Sequence, residues 1–576
     1  MSTFHLFIRR TALVVAPVLL AVASSAEAQV DTLQIVVDKP NATGSKSIAS
    51  FAYDPSRDEM YVTLFGASAD TGNPAIRKVT NVAGGAAGQV STSWLSESQL
   101  QLYYREGNGD RGVSTPLQSG VLLNPKAVGS APAYSFAFVA DNGFTRFPNS
   151  TTTDPAATKR FYTYSLQAPP AGGDGRDVFT TRVTLADMQT AAGTTNTSTN
   201  QGRQFAWSGN GQSIYFQDSS TVFGGIWRVQ AAGGAPTRIL TDTTFGVTEP
   251  AVVPAAGGVD RIYVAGTTGS GNNGGIDVVT YDGTTATRAP AVTVAALRAF
   301  LEAPDTYVPN AASLSADADG NVYFNNTVSS TERRALYRLD PQGRLSKVVG
   351  YAERKTLTGT ANPNSNMLRQ QPRTISYAGT GGSFDLTQVL YADSTLDAVI
   401  GVNAFKAGDF NRDNLVNQAD ANALKPLLTL RGVAQANAAN HKFDLNGNTA
   451  VDWKDVKVFQ QFFPFDDGDV DMGGAVNFSD LNVVRDNYGT TGKVWTAGEF
   501  TGDNNVNYND LLALALHWDG ARPTNAEFDA QGYTGQFRTD VEQAFNAVPE
   551  PGTAAALSVV AAAGLLRRQR RACRRR

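Results

Sequence analysis

In the stretch "DFNRDNLVNQAD", Asp409, Asn411, Asp413, Asn417 and Asp420 put oxygen-bearing side chains at positions one, three, five, nine and twelve of a twelve-residue window. Leu415, at position seven, can add its main-chain carbonyl. A hard cation such as calcium takes six to eight oxygens, and a twelve-residue loop delivers them from these positions. The spacing returns three times. "DLNGNTAVDWKD" offers Asp444, Asn446, Asn448, the Ala450 carbonyl, Asp452 and Asp455. "DVDMGGAVNFSD" offers Asp469, Asp471, Asn477 and Asp480, but Gly473 brings no side-chain oxygen to position five. "EFTGDNNVNYND" offers Glu499, Thr501, Asp503, the Asn505 carbonyl, Asn507 and Asp510. One such loop is a weak signal. Four in succession imply Ca2+ as the cofactor, with the third and fourth loops the weaker sites.

The elements that must position these oxygens are short apolar runs after each loop: "ALKPLLTL", "VKVFQQFF", "LNVVRDNYG" and "LLALALHW". Each reads as a helix with one face for packing, and Pro426 should shorten the first. Val416, at position eight, is expected to tie its loop to a paired neighbour through a short strand. Two traits set the loops apart from ordinary EF-hands: every closing residue is Asp, and no amphipathic helix enters the loop. By these traits residues 406–520 resemble two dockerin type I modules in tandem. The resemblance implies a calcium-folded docking module and a cohesin-like partner. Cohesin-binding dockerins, however, carry small hydroxyl residues at positions ten and eleven. Here those positions hold Gln418/Ala419, Trp453/Lys454, Phe478/Ser479 and Tyr508/Asn509, and the aromatics read as packing within the module or against the rest of the chain. Residues 521–547 read as a linker.

Residues 29–405 lack long helical periodicity. What recurs is a strand, a Gly/Asn/Asp turn and an aromatic-rich closing strand, as in "FAYDPSRDEMYVTLF", "FAWSGNGQSIYFQD", "AVVPAAGGVDRIYVAG", "ASLSADADGNVYFNN" and "ISYAGTGGSFDLTQVLYAD". A third strand follows several of them, in "AIRKVT", "GIWRVQ", "IDVVTYDG" and "ALYRLDPQG". The closing tyrosines Tyr61, Tyr215, Tyr263, Tyr323 and Tyr391, with room for one more unit at Tyr134 to Gly143, set a rhythm that suits four-stranded blades. The fold class is therefore mainly β: a propeller-like domain of about six blades, then an α-helical, calcium-loop domain. The rhythm is similar to that of secreted TolB-like and NHL-like propellers; a pair of β-sandwiches is the competing architecture.

The two ends read as addresses. Arg9 and Arg10, an apolar run from Ala12 to Val22 and "AEA" at Ala26 to Ala28 make residues 1–28 a secretory signal peptide. At the other end Pro549, Glu550 and Pro551 precede an apolar segment, Thr553 to Leu566, and seven arginines. Residues 548–576 thereby resemble the PEP-CTERM sorting signal, which implies processing by an exosortase, a transient membrane anchor and delivery to the cell surface or extracellular matrix. The single cysteine, Cys573, lies in that tail, so the exported part has no disulfide. Without Arg9, Arg10, Glu27 and the tail arginines, 39 basic residues face 51 acidic ones, a charge of about −12 that disfavours nucleic acid.

Of three histidines, His441 and His517 alone belong to the exported chain, and both follow residue 405. Ser–His–Asp and Cys–His schemes thus have no base in the β-rich part. Asp54, Asp58, Asp260, Asp317, Asp319 and Asp393 could form a glycosidase pair, but each sits in or beside a turn, where Asp caps the local backbone. The sequence favours an exported, surface-sorted protein with a non-catalytic domain for polysaccharide or protein partners, and no catalytic residue is assigned. The alternative is a dockerin-bearing glycoside hydrolase or polysaccharide lyase, which carboxylates brought together in one cleft would favour.

Overall fold

A computed structural model of the chain describes residues 33–38, 47–65, 74–83, 89–96, 121–123, 136–140, 160–165, 179–195, 201–218, 220–243, 249–266, 271–326, 333–350, 353–354, 367–380, 382–393, 396, 398–429, 434–435 and 440–548. Residues 1–28, read from the sequence as a signal peptide, and the Pro549–Glu550–Pro551 motif, the apolar segment and the arginines after it lie outside these residues. Among the described residues no helix is long and apolar enough to cross a membrane.

The β-rich part is a propeller. Among the described residues it holds six four-stranded antiparallel sheets, five of them built from consecutive strands. They are β2–β5 (Ser47–Asp54, Glu59–Phe65, Pro74–Thr80, Val90–Ser96), β6–β9 (Val121–Leu123, Phe136–Ala140, Arg160–Ser165, Phe179–Thr184) and β10–β13 (Gln201–Trp207, Ser213–Asp218, Gly225–Gln230, Thr237–Thr241). Next come β14–β17 (Ala251–Pro254, Asp260–Ala265, Ile276–Tyr281, Ala286–Val292) and β18–β21 (Ala311–Ala316, Val322–Asn326, Leu336–Leu339, Leu345–Val349). The last sheet joins β22–β24 (Met367–Gly379, Gly382–Asp393, Ala398–Asn403) to the first strand of the chain, β1 (Leu33–Asp38), which pairs with β24. This closure leaves neither end of the ring with an exposed sheet face.

First strands of neighbouring sheets lie against one another: β2 by β6, β10 by β14, β14 by β18, β18 by β22, and β22 back by β2. Apolar layers fill the spaces between sheets. Val36, Phe51, Val62, Leu390 and Val399 pack between the first and last sheets, and Tyr215, Ile226, Ile262 and Val279 between the third and fourth. The recurring tyrosines sit on the second strands and are buried, because a large ring fills such a layer, and in Tyr61, Tyr215 and Tyr323 the hydroxyl meets a carboxylate. Tyr215 reaches Asp260 of the next sheet at 2.8 Å, and Tyr323 reaches Asp317 at 2.9 Å.

Residues 406–548 form a second body around one apolar core running from Phe410 to Phe545. Its main helices are short: Gln418–Leu424, Trp453–Phe459, Phe478–Asn487 and Tyr508–Leu516. Pro426 does shorten the first, which tightens into a 3-10 turn over Lys425–Thr429. Residues 521–547 are not a linker. They carry the helices Asn525–Ala530 and Gly535–Ala547, the first opened by a reciprocal Thr524–Glu527 cap. Phe537, Val541, Ala544 and Phe545 recur at helical spacing and are buried in the same core, Phe545 edge-on to Trp518 at 5.1 Å.

Each of the four loop-following helices starts the same way. The position-nine side chain caps the helix, and the position-twelve Asp accepts back from the position-nine N–H. The same Asp also reaches the N–H of position two: Asp420 to Phe410, Asp455 to Leu445, Asp480 to Val470 and Asp510 to Phe500, all at 2.7 to 2.9 Å. One buried carboxylate thus closes each loop onto its helix. Asp510→Ala should cost about 2 to 5 kcal/mol by orphaning the Phe500 and Asn507 N–H groups. Exposed Asp503→Ala should cost under about 1 kcal/mol. Urea unfolding followed by far-ultraviolet circular dichroism, with chelator present, measures both; equal effects would mean that position twelve closes nothing.

Candidate functional sites: four oxygen-rich loops and a cleft

The four loops follow one backbone path. Positions four and six carry positive φ in each: Arg412 and Asn414, Gly447 and Thr449, Met472 and Gly474, Gly502 and Asn504. Only glycine adopts that conformation freely, so the non-glycine residues there are held in place by the loop's own bonds. The position-one carboxylate supplies them. Asp409 accepts from the Asp413 and Asn414 N–H groups, Asp444 from Gly447 and Thr449, and Asp469 from Gly473 and Gly474. Glu499, one carbon longer, turns a single oxygen to the N–H groups of Thr501, Gly502 and Asp503. Positions three and five accept from the N–H two residues on: Asn411 from Asp413, Asp413 from Leu415, Asn446 from Asn448, Asn448 from Ala450, Asp471 from Gly473 and Asp503 from Asn505. Side-chain oxygens therefore ring each loop on the spacing read from the sequence.

These oxygens carry negative charge into poorly solvated places. Burial pushes the carboxyls of Asp409 and Asp469 up to about 6, and moves those of Asp480, Glu499 and Asp510 upward as well. Among the described residues, Asp469, Asp471 and Asp480 offer ligand oxygens that all lie within 4.8 Å of one another, a group of three acids fit for a cation. It belongs to the third loop, where Asp replaces Asn at position three.

One positioning expectation differs from what is seen. Position eight does not join loop to loop: Ala450–Val451 pairs with Ala434–Gln435, and Asn505 bridges Thr491, so each of these loops leans on the segment before it. The aromatics at positions ten and eleven pack within the module. Trp453 donates its indole N–H to the Phe500 carbonyl at 2.8 Å, and Phe478 lies edge-on to Trp518 at 5.1 Å.

The second loop also meets the propeller. The Lys347 N–H on β21 donates to the Leu445 carbonyl at 2.8 Å. Its ammonium donates to the His441 carbonyl at 2.8 Å and sits 3.2 Å from Asp444 and 3.4 Å from Glu353. Burial would draw the proton off this lysine, but the two carboxylates outweigh burial and hold it on above the usual lysine range. Nearby, Arg344 donates to the Gln461 carbonyl at 2.7 Å and lies over the Phe462 ring.

A cleft of about 940 Å³ opens where the first, fifth and last sheets meet the first loop. It is lined by Asp317, Asp319, Asp340 and Asp385, by Gln371 and Arg373, and by Tyr53 and Phe462. Arg373 is clamped on the Gln388 amide oxygen at 2.7 and 2.9 Å and lies over the Tyr53 ring. Asp317 is heavily engaged, accepting from the N–H groups of Asp319 and Asn321, the Asn321 amide and the Tyr323 hydroxyl. Asp340 is paired with Arg344 at 2.6 Å. Asp319 and Asp385 are exposed.

Of the aspartates singled out in the sequence, Asp54, Asp317 and Asp393 hold local turns as expected. Asp260 does not: it accepts from the Gly209 N–H and the Tyr215 hydroxyl and so ties two sheets together. Asp58 accepts from the distant Ala83 N–H as well as from Tyr53. Asp340, Asp385, Arg373 and Lys347 were not anticipated. "LDPQGR" around Asp340 carried a turn signal, whereas Lys347 in "LSKVVG" carried none.

No family model matches the chain, and no curated protein matches it. Solved structures similar to it include a Penicillium chrysogenum α-L-arabinanase complexed with arabinobiose, 10% identical, covering 65% of this chain and 97% of its own, at a TM-score of 0.35. A virginiamycin B lyase from Staphylococcus aureus is 9% identical over 64% of this chain and 98% of its own, at 0.32. A GH43 β-1,3-galactosidase is 12% identical over 54% of this chain and 96% of its own, at 0.31. Likenesses this faint say nothing of what the chain does.

Proposed function

We propose that the chain is a carbohydrate-active protein of the cell surface whose propeller cleft takes a segment of extracellular polysaccharide. The observation that supports this reading is a cleft that gathers four aspartates with Arg373, Gln371 and two rings. Sugars need this mixture: acceptors and donors for hydroxyl groups, and ring faces for their C–H surfaces. The cleft volume is within the range of ligand sites. In this reading Asp319 and Asp385 are the carboxylates that would act on a glycosidic bond, since hydrolysis asks for two carboxyls facing one substrate and these two have oxygens to spare. A non-catalytic capture role is favoured by Asp317 and Asp340, whose oxygens are already committed.

Glycan-array binding followed by reducing-sugar assay on the bound polysaccharide separates the two. The hydrolytic reading expects release that falls at least about 100-fold in Asp319→Asn or Asp385→Asn, with binding kept within a few-fold. Binding without release selects capture, and absence of binding to any polysaccharide overturns both.

The same proposal has six propeller blades corresponding to the six sheets, and calcium in the dockerin-like loops. The first and fourth loops have side-chain oxygens on the required spacing, the third has them at all but position five and gathers three acids, and all three share a backbone path suited to a twelve-residue metal loop. Calcium would neutralise the gathered carboxylates. Export rests on residues 1–28. Exosortase processing rests on Pro549, Glu550 and Pro551 with the apolar and arginine-rich segments after them. Replacing these three residues by alanine should leave an unprocessed, membrane-held precursor in the native host. A variant of normal processed mass at the surface would remove the sorting reading.

A further inference from the structure

The second loop differs from the other three in what faces its acids. The ammonium of Lys347, delivered by β21 of the propeller, is 3.2 Å from Asp444 at position one. It donates to the His441 carbonyl just before the loop and is flanked by Glu353. The lysine side chain is 4% exposed, Asp444 is 2% and Asp455 is fully buried, so water does little to screen these charges. Around it the loop is seated firmly. The Lys347 N–H holds the Leu445 carbonyl, and Gly447 lies so close to the Tyr337 hydroxyl that a Cβ would meet it at 2.7 Å.

We infer that in the second loop the Lys347 ammonium takes the cation's part, so that this loop latches the helical body to the propeller and binds no calcium. An ammonium already neutralises the carboxylate that a metal ion would need, and a doubly charged ion beside it would meet like-charge repulsion in a poorly screened place. The position-one and position-twelve acids are retained because they still shape the loop through the Gly447, Thr449 and Leu445 N–H groups. The geometry that binds metal in one copy of the repeat thus becomes an internal ion-pair socket in another. The inference rests on the calcium reading of the remaining loops for its stoichiometry, and on the ion pair alone for the latch.

Calcium bound per chain, counted by equilibrium dialysis on the full exported chain, tests it with three variants. Asp469→Asn should lower the number by one, Asp444→Asn should leave it unchanged, and Lys347→Met should raise it by one. Loss of one calcium in Asp444→Asn would overturn the inference. Should Lys347→Met fail to fold, the Asp444→Asn result decides. If the wild-type chain binds no calcium at all, it is the calcium reading that fails, and the latch is judged in chelator by tryptic cleavage between the two bodies. There Asp444→Asn, which keeps the side-chain shape and removes the charge, should raise the cleavage rate about tenfold by breaking the buried pair across the two bodies and leaving the lysine with Glu353, a partner from its own body; an unchanged rate would overturn the latch.

Discussion

Buried backbone N–H groups must find acceptors, and in the loops of residues 406–520 the acceptors are carboxylates. Helix and sheet ladders cannot serve there, because the loops are too short and too tightly curved. An Asp or Glu at position one satisfies the N–H groups of positions three to six, and an Asp at position twelve satisfies those of positions two and nine. This solves the hydrogen-bond problem and creates an electrostatic one, since each loop then holds two or more acids where water reaches them poorly. The rest of the helical body follows from how that charge is answered. Its helices are short and start at position ten, capped by position nine and tied back by the position-twelve Asp, and its core of phenylalanine, valine and leucine fills the space behind the loops. In the second loop the answer comes from a lysine of the propeller, so the way charge is compensated also sets how the two bodies dock.

The propeller meets a different constraint, the free edges of its sheets. Pairing β1 with β24 ends the chain of sheets where it began, so the ring is held by a hydrogen-bonded ladder as well as by apolar layers. The inter-sheet bonds from Asp260 to Gly209 and Tyr215, and from Gln371 to both main-chain atoms of Tyr53, fix neighbouring sheets in register. The cleft lies where the closing sheet, the first sheet and the first loop converge, which places its aspartates on elements held from both bodies.

Much of this was legible in the sequence, for local reasons. The strand–turn–strand units named by their closing tyrosines are the first two strands of their sheets, because alternation and Gly/Asp turns are encoded over a dozen residues. The four loops were legible because metal-type loops fix side chain by position. What escaped notice depends on distant chain. β1 looks like any short apolar strand, and its partner Ala398–Asn403 lies at the far end of the propeller. Asp260 stands beside a turn, so its cross-sheet role could not be told from a turn role. Phe537, Val541, Ala544 and Phe545 did carry a helical period, yet 521–547 read as a linker because polar residues lie between them. Lys347 is one basic residue in a strand, and only the fold brings it to Asp444.

If the gathered carboxylates govern the helical body, its stability must depend on what neutralises them, while that of the propeller depends on sheet closure and apolar layers. Differential scanning calorimetry of the chain from residue 29 to residue 548, in excess calcium and then in chelator, puts this to the test. The account predicts two transitions, of which the helical one rises by at least about 10 °C in calcium, since each site filled at 100 times its Kd adds about 2.7 kcal/mol, while the propeller transition moves by no more than a few degrees. A helical transition unmoved by calcium, or a propeller transition that shifts as far, would contradict it.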